Sequence, residues 1–209
     1  MKILCLNPSF KTEYGRFSRT SRSPAITKSG TIYYPIWLCY VAGVLEEAGH
    51  EIKVIDSCAY EYNLEKTLQI ISEFKSQVAV LDTSTPSIYS DVKTGAEIKK
   101  LLPDCFVVLM GTHASALPEE TLRIGSTIDA VVVGEADYTV RELAERLSEI
   151  DLCRIQRDIT YRDNILRTIN GIAYNSGSRV CVNKRRGFIK NLDELPFVSK
   201  VYKRYLDPK

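Results

Sequence analysis

Histidine is almost missing from this sequence: 209 residues carry two, and the one that follows an apolar run into a polar loop is His113, in the stretch VLMGTHASALPEE. Net charge is nearly missing too. Lys+Arg 28 against Asp+Glu 26 leaves +2, so no global field recruits nucleic acid or a membrane surface. No apolar run approaches the roughly 20 residues of a membrane span, and MKILCLNPSF is too short for a secretory apolar core. The expectation is a soluble, cytoplasmic protein with no nucleic-acid and no membrane partner. The six cysteines show no C-x-x-C spacing, and four of them lie in strongly apolar segments. They read as buried reduced thiols and not as a disulfide framework or a metal knot.

Nucleotide motifs are absent as well. The first apolar run is followed by NPSFK, where a dinucleotide fold would carry G-x-G-x-x-G, and no G-x-x-x-x-G-K-[ST] occurs. Nicotinamide-dependent and P-loop chemistry drop out.

What is present is a regular alternation in a chain that is 44% hydrophobic, enough for one sizeable core. Apolar runs at 2–6, 78–81, 106–110 and 130–133, and an alternating segment at 50–56 that ends in an acid, read as strands. Helical spacing recurs between them. Trp37, Tyr40, Val41, Val44, Leu45 and Ala48 share one face that Gly49 closes; Leu64, Leu68 and Ile71 follow a cap at Asn63. Further helices fall at 92–102 and 118–125, and Val140, Leu143, Ala144 and Leu147 mark the last. Strands alternating with helices need right-handed parallel crossovers, hence an α/β, open, doubly wound sheet. Past residue 150 the pattern changes to a hairpin, 172–174 and 180–182 about Asn175-Ser176-Gly177-Ser178, and then an extended polar tail. The division expected is a main domain over 1–150 and a hairpin with linker over 151–209.

Such sheets bind ligands at the carboxyl ends of their strands. The loops concerned are 7–35, 82–86, 111–118 and 134–137, rich in hydroxyls at Thr83, Ser84, Thr85, Thr112 and Ser115. They are poor in base and nucleophile together, a composition that suits holding a polar ligand. Gly111 and Gly134 let backbone approach a large ligand or simply turn from strand to helix. Asp56 and Asp82 read as capping or solvent-exposed acids. Glu135 is placed to accept backbone N–H groups or a ligand, or to stabilise a helix start. The loop 9–34 carries Lys11, Arg16, Arg19, Arg22 and Lys28 against Glu13 alone, either to meet a phosphate or acidic partner or as a solvated, mobile loop.

Taken in order, YPIWLCYVAGVLEEAGHEI, MGTHASALPEETL, DAVVVGEADYTVRELAERL, GIAYNSG and NLDELPF resemble the N-terminal cobalamin-binding domain of cobalamin-dependent radical SAM enzymes. The resemblance covers nearly the whole chain. It implies a five-stranded Rossmann-like sheet with a C-terminal β-hairpin extension, holding cobalamin over the strand ends. Thr83, Ser84, Thr85, Gly111 and Thr112 line the nucleotide tail, Gly134 and Glu135 flank it, and Asn7, Pro8, Pro35 and His113 complete the cofactor-binding positions. S-adenosylmethionine and a 4Fe–4S cluster belong to a radical SAM domain that this chain lacks, since no C-x-x-x-C-x-x-C occurs. Met110 stands where the family has a glycine and narrows the tail channel. No D-x-H-x-x-G follows the first strand, so the corrinoid is expected base-off without a protein histidine on cobalt. The competing readings are a stand-alone flavodoxin-like catalyst using His113 and Glu135 as acid and base, and an interaction protein that has lost the ligand.

Overall fold

The computed structural model describes residues 1–10, 15–19 and 24–206. In chain order the strands are β1 (Lys2–Asn7), β2 (Arg16–Ser18), β3 (Ala25–Thr27), β4 (Glu51–Asp56), β5 (Val78–Thr83), β6 (Phe106–Gly111), β7 (Ala130–Val132), β8 (Ile172–Ser176) and β9 (Arg179–Val182). The helices are α1 (Ile36–Glu47), α2 (Leu64–Phe74), α3 (Ile88–Leu101), α4 (Thr112–Ala116), α5 (Pro118–Ile124), α6 (Asp137–Ser148), α7 (Leu152–Arg157), α8 (Ile159–Leu166) and α9 (Val198–Tyr205).

The main sheet runs β4-β1-β5-β6-β7-β8-β9. Its first five strands are parallel, with Cys5 opposite both Val54 and Val80, and Val80 opposite Val108. The expected count of five is corrected to seven, because the hairpin joins the same sheet. β8 pairs antiparallel with β7, Val131 opposite Ala173, and so supplies partners to an otherwise open edge of only three residues. Gly177, at φ +61, turns the hairpin.

Alternate side chains along the strands divide the core. Ile3, Cys5, Val80, Val108 and Val132 pack with α1, α6 and α9; Leu4, Leu6, Leu81, Leu109 and Val131 pack with α2, α3 and α5. Burial on both faces explains the unbroken apolar run of β5. Gly49 at φ +83 ends α1, and the Asn63 side chain accepts the Lys66 N–H at 2.8 Å to start α2, both as the sequence indicates. Trp37 is corrected: it is 60% exposed, off the buried stripe of α1.

Helices α7 to α9 are not apparent from periodicity. Lys99 Nζ lies 2.8 Å from Asp129 Oδ2 and donates to Gln156 Oε1 at 2.7 Å, and Arg162 lies 3.7 Å from Asp129 Oδ1. This buried group ties α7 and α8 to the amino-terminal end of the sheet. The tail seals the outer face of α1: a Cβ on Gly43 would lie 2.6 Å from Pro196, and Tyr205 Oη donates to Glu46 Oε1 at 2.8 Å. No helix among the described residues is long and apolar enough to cross a membrane.

Candidate site at the strand ends

The carboxyl ends of β1, β4, β5, β6 and β7 gather Asn7, Asp56, Thr83, Gly111 and the Val133-Gly134 step on one edge. The order reverses between β1 and β5, which makes the crevice between them the topological switch point.

Arg19 fills that crevice. Its Nη1 donates to Asn7 Oδ1, to the Pro8 carbonyl at 2.8 Å and toward Cys58 Sγ at 3.6 Å, while Nη2 pairs with Asp91 of α3. Asn7 Nδ2 donates to Asp56 Oδ1 at 2.8 Å, and Ser87 Oγ donates to Asp91 Oδ2 at 2.6 Å while touching Ser84 Oγ at 2.8 Å. Asn7, Pro8 and Ser84 therefore belong to one network. The solvated-loop expectation is corrected for Arg19, whose side chain is 1% exposed. Arg16, in β2, makes an exposed ion pair with Glu61, while Lys11 and Arg22 lie outside the described residues. Asp56 caps the Ala59 N–H at 3.0 Å as expected, but neither it nor Asp82 is solvent-exposed.

Burial is the main cause that pushes the Asp82 carboxyl up to about 7 and Asp91 up to about 6, with Arg19 opposing both shifts. Burial likewise raises Asp137 to about 6. Between the unfolded acid pKa and these values the native chain binds more protons than the unfolded chain, so stability falls as pH rises through that window. His50, lowered by burial, acts in the opposite sense. At 1.36 kcal/mol per pKa unit, Asp82 alone accounts for a loss on the order of 4 kcal/mol. The thermal midpoint is expected to be higher at pH 5.5 than at pH 8, and Asp82→Asn to flatten the profile; a midpoint that rises with pH across this range would contradict the assignment.

The second half of the site follows β5 and β6. Thr83 Oγ1 donates to the Met110 carbonyl at 2.7 Å. Gly111, at φ +112, has the Thr83 carbonyl oxygen 2.2 Å from where a Cβ would sit, so the close approach it permits is between neighbouring strands. His113 is buried, with Nδ1 3.3 Å from Thr85 Oγ1 and Nε2 without a hydrogen-bond partner. Ser115 Oγ accepts the Gly134 N–H at 2.9 Å, and Gly134, at φ +96, has open space where its Cβ would be. Glu135 Oε2 accepts the Ile189 N–H at 2.8 Å, tying the tail to the end of β7. Pro35 is buried and its carbonyl accepts the Cys39 N–H at 2.9 Å to start α1. Thr85, Thr112 and Gly134 are exposed, with Tyr33 and Trp37 presented near the start of α1.

Met110 points to the face packed by α1 and α6, where it is 2% exposed among the core side chains. A cavity of about 770 Å³ flanks the crevice, beside Arg16, Phe17, Cys58, Tyr62, Lys66 and Lys93; the loop cation Arg16 lines it, and none of the cofactor-binding positions chosen from the sequence does. The strand ends remain the better site, because they join the switch point to buried polar atoms still lacking partners. Those atoms fit a corrinoid, whose amide-bearing rim and phosphodiester tail offer oxygens to buried donors, with Gly134 leaving room above the edge.

Arg19, Ser87 and Asp91 are the residues that sequence reasoning missed here. Arg19 was visible only as one of several loop cations, and Asp91 only as a helical acid.

A family model described as the B12 binding domain matches residues 22–144. A protein of Pyrococcus horikoshii described as an uncharacterized methyltransferase is 32% identical over 171 residues, covering 81% of this chain and 34% of the relative. An anaerobic magnesium-protoporphyrin IX monomethyl ester cyclase of Rubrivivax gelatinosus is 27% identical over 141 residues, covering 67% and 24%. The chain thus spans between a quarter and a third of the length of these relatives. In fold it is similar to the cobalamin-dependent S-adenosylmethionine radical enzyme OxsB with aqua-cobalamin and S-adenosylmethionine bound, at a TM-score of 0.69 and 12% identity over 96% of this chain and 25% of that one. It is also similar to the radical S-adenosylmethionine methyltransferase TsrM of Kitasatospora setae, at 0.64 and 18% over 88% and 30%. With more than half of its length matched by that model, the chain belongs to the B12-binding domain family.

Proposed function

We propose that this chain is the cobalamin-holding module of a radical SAM enzyme, binding the corrinoid base-off over the strand ends with no protein histidine on cobalt. The observation that carries the reading is the strand-end crevice itself: a switch point lined by Asn7, Ser84, Thr85 and His113, with a buried imidazole nitrogen lacking a partner. The bound cofactor supplies a cobalt centre able to carry a methyl group or electrons. The chain's residues hold it: His113 Nε2 and the hydroxyls of Thr85 and Thr112 meet polar groups, Gly134 admits close approach, and Thr83 and Gly111 keep the β5 and β6 ends in register. Base-off binding is supported by Asn7-Pro8 standing after β1 where a D-x-H-x-x-G motif would be; His113, inside α4, turns Nδ1 to Thr85. The exposed Tyr33 and Trp37 give a radical SAM domain, in the same chain or another, an apolar surface to meet. We place the module in the cytoplasm, in keeping with six free cysteines among the described residues.

Hydroxocobalamin titrated into the purified chain, followed by visible spectrum and hydrodynamic size, is expected to form a complex with Kd of about 1 μM or tighter. His113→Ala is expected to weaken it about tenfold, the worth of one hydrogen bond, and to leave the base-off spectrum unchanged. Absence of binding at micromolar concentrations would sink the reading, and a spectrum altered by His113→Ala would put histidine on cobalt.

A further inference from the structure

We infer that Arg19 is a binding residue for the corrinoid, its free Nε–H donating to an oxygen of the bound molecule; this rests on the cobalamin reading above. The guanidinium sits at the switch point between β1 and β5, and its terminal nitrogens are already engaged by Asn7, Pro8, Cys58 and Asp91. Those bonds fix its plane. Nε, buried with the rest of the side chain, has no acceptor.

A structural role accounts for the Nη contacts and leaves Nε unexplained. A buried N–H without an acceptor is destabilising, and natural chains rarely keep one without a use. Were the pair there only to anchor the loop, well-packed apolar side chains would do the same without desolvating charge. The surroundings keep the cation in place: Asp56 on the β4 end, Asp82 on the β5 end and Asp91 on α3 all bear on it. An acceptor brought against Nε as the chain covering it moves aside would complete a charge-assisted pair on a guanidinium whose plane is already fixed. The chemistry recognised is a neutral or anionic oxygen, either a side-chain amide carbonyl of the corrin or the phosphate of the nucleotide tail.

The test uses Arg19→Lys, which keeps a cation beside Asp91 and removes the Nε–H, and the double variant Arg19→Met, Asp91→Leu, which replaces the whole pair with apolar volume. Circular-dichroism melts identify which of them folds, and hydroxocobalamin affinity is read on that one. The expected result is a Kd weakened tenfold or more. Wild-type affinity in a folded variant overturns the inference, and so does tighter binding, which would mean that Arg19 merely fills the crevice. Cobinamide, which lacks the nucleotide tail, separates the two oxygen sources. An equal loss for cobinamide and cobalamin places the acceptor on the corrin, and a loss for cobalamin alone places it on the tail. If the unaltered chain fails to bind hydroxocobalamin, the cobalamin reading itself falls, an outcome distinct from normal binding by a folded Arg19 variant.

Discussion

Gly111→Ala is expected to destabilise the chain by about 4 kcal/mol or more, and to leave little folded protein at 37 °C. Two effects add. At φ +112 and ψ −175 the residue occupies a region of backbone space that is essentially restricted to glycine, at about 1–3 kcal/mol for any other side chain. The new Cβ would also lie 2.2 Å from the Thr83 carbonyl oxygen and 2.9 Å from Asp82 Oδ1. These are backbone and buried atoms that cannot swing aside. Relief requires the ends of β5 and β6 to part, which breaks the Thr83 hydrogen bond to the Met110 carbonyl and moves His113. Gly134→Ala is the control: it has the same sign of φ but open space at the Cβ, so a loss of only about 1–2 kcal/mol is expected. Urea unfolding of the two variants measures the contrast, and comparable losses would refute the clash.

Asp129→Ala comes next, with an expected loss of about 3–5 kcal/mol, the usual consequence of removing one member of a buried ionic group. Asp129 is 3% exposed; its Oδ2 accepts the Val107 N–H at 2.7 Å and faces Lys99 at 2.8 Å. Without it two partly buried cations, Lys99 and Arg162, lose their counter-charge and a strand N–H is orphaned. The disturbance lies at the amino-terminal end of the sheet, far from the strand-end crevice. Cobalamin affinity measured on the folded fraction is therefore expected to be unchanged, and early proteolysis to fall within α7 and α8. Asp129→Asn, which can still accept from Val107, is expected to lose less. Equal stability of Asp129→Ala and the unaltered chain in urea would show that the group is not holding these helices.

Much of the fold was legible because its signals are local. Most parallel strands are short apolar runs bounded by turn residues, and α1 and α6 repeat apolar side chains every three or four residues, so 78–81 and 106–110 could be placed as unbroken runs and 140–147 by helical period. The hairpin was legible too, but its pairing with β7 was not, since strand pairing across 40 residues leaves no trace in either segment. Helices α7 and α8 are one to two turns long, below the length at which a helical period declares itself. Trp37 carried the right period for the buried face of α1 and lies outside it: in the first turn Leu38 and Cys39 are the residues turned inward and fully buried, which leaves Trp37 on the open side of the helix.

The site divides in the same way. Thr83, Ser84, Thr85, Gly111, Thr112, His113, Gly134 and Glu135 could be chosen because a parallel sheet sends its strand-end loops to one edge, and the sequence marks where each strand stops. What the sequence by itself determined is therefore the architecture and the address of the site, both consequences of hydrophobic period and glycine placement. Only the tertiary structure decided which polar groups at that address are committed and which remain open. Arg19 and Asp91 meet across 72 positions of chain, Glu135 is claimed by the tail, and Gly111 serves a neighbouring strand. The physical reason is that satisfaction of a buried donor depends on three-dimensional proximity and desolvation, which no residue carries in its own identity.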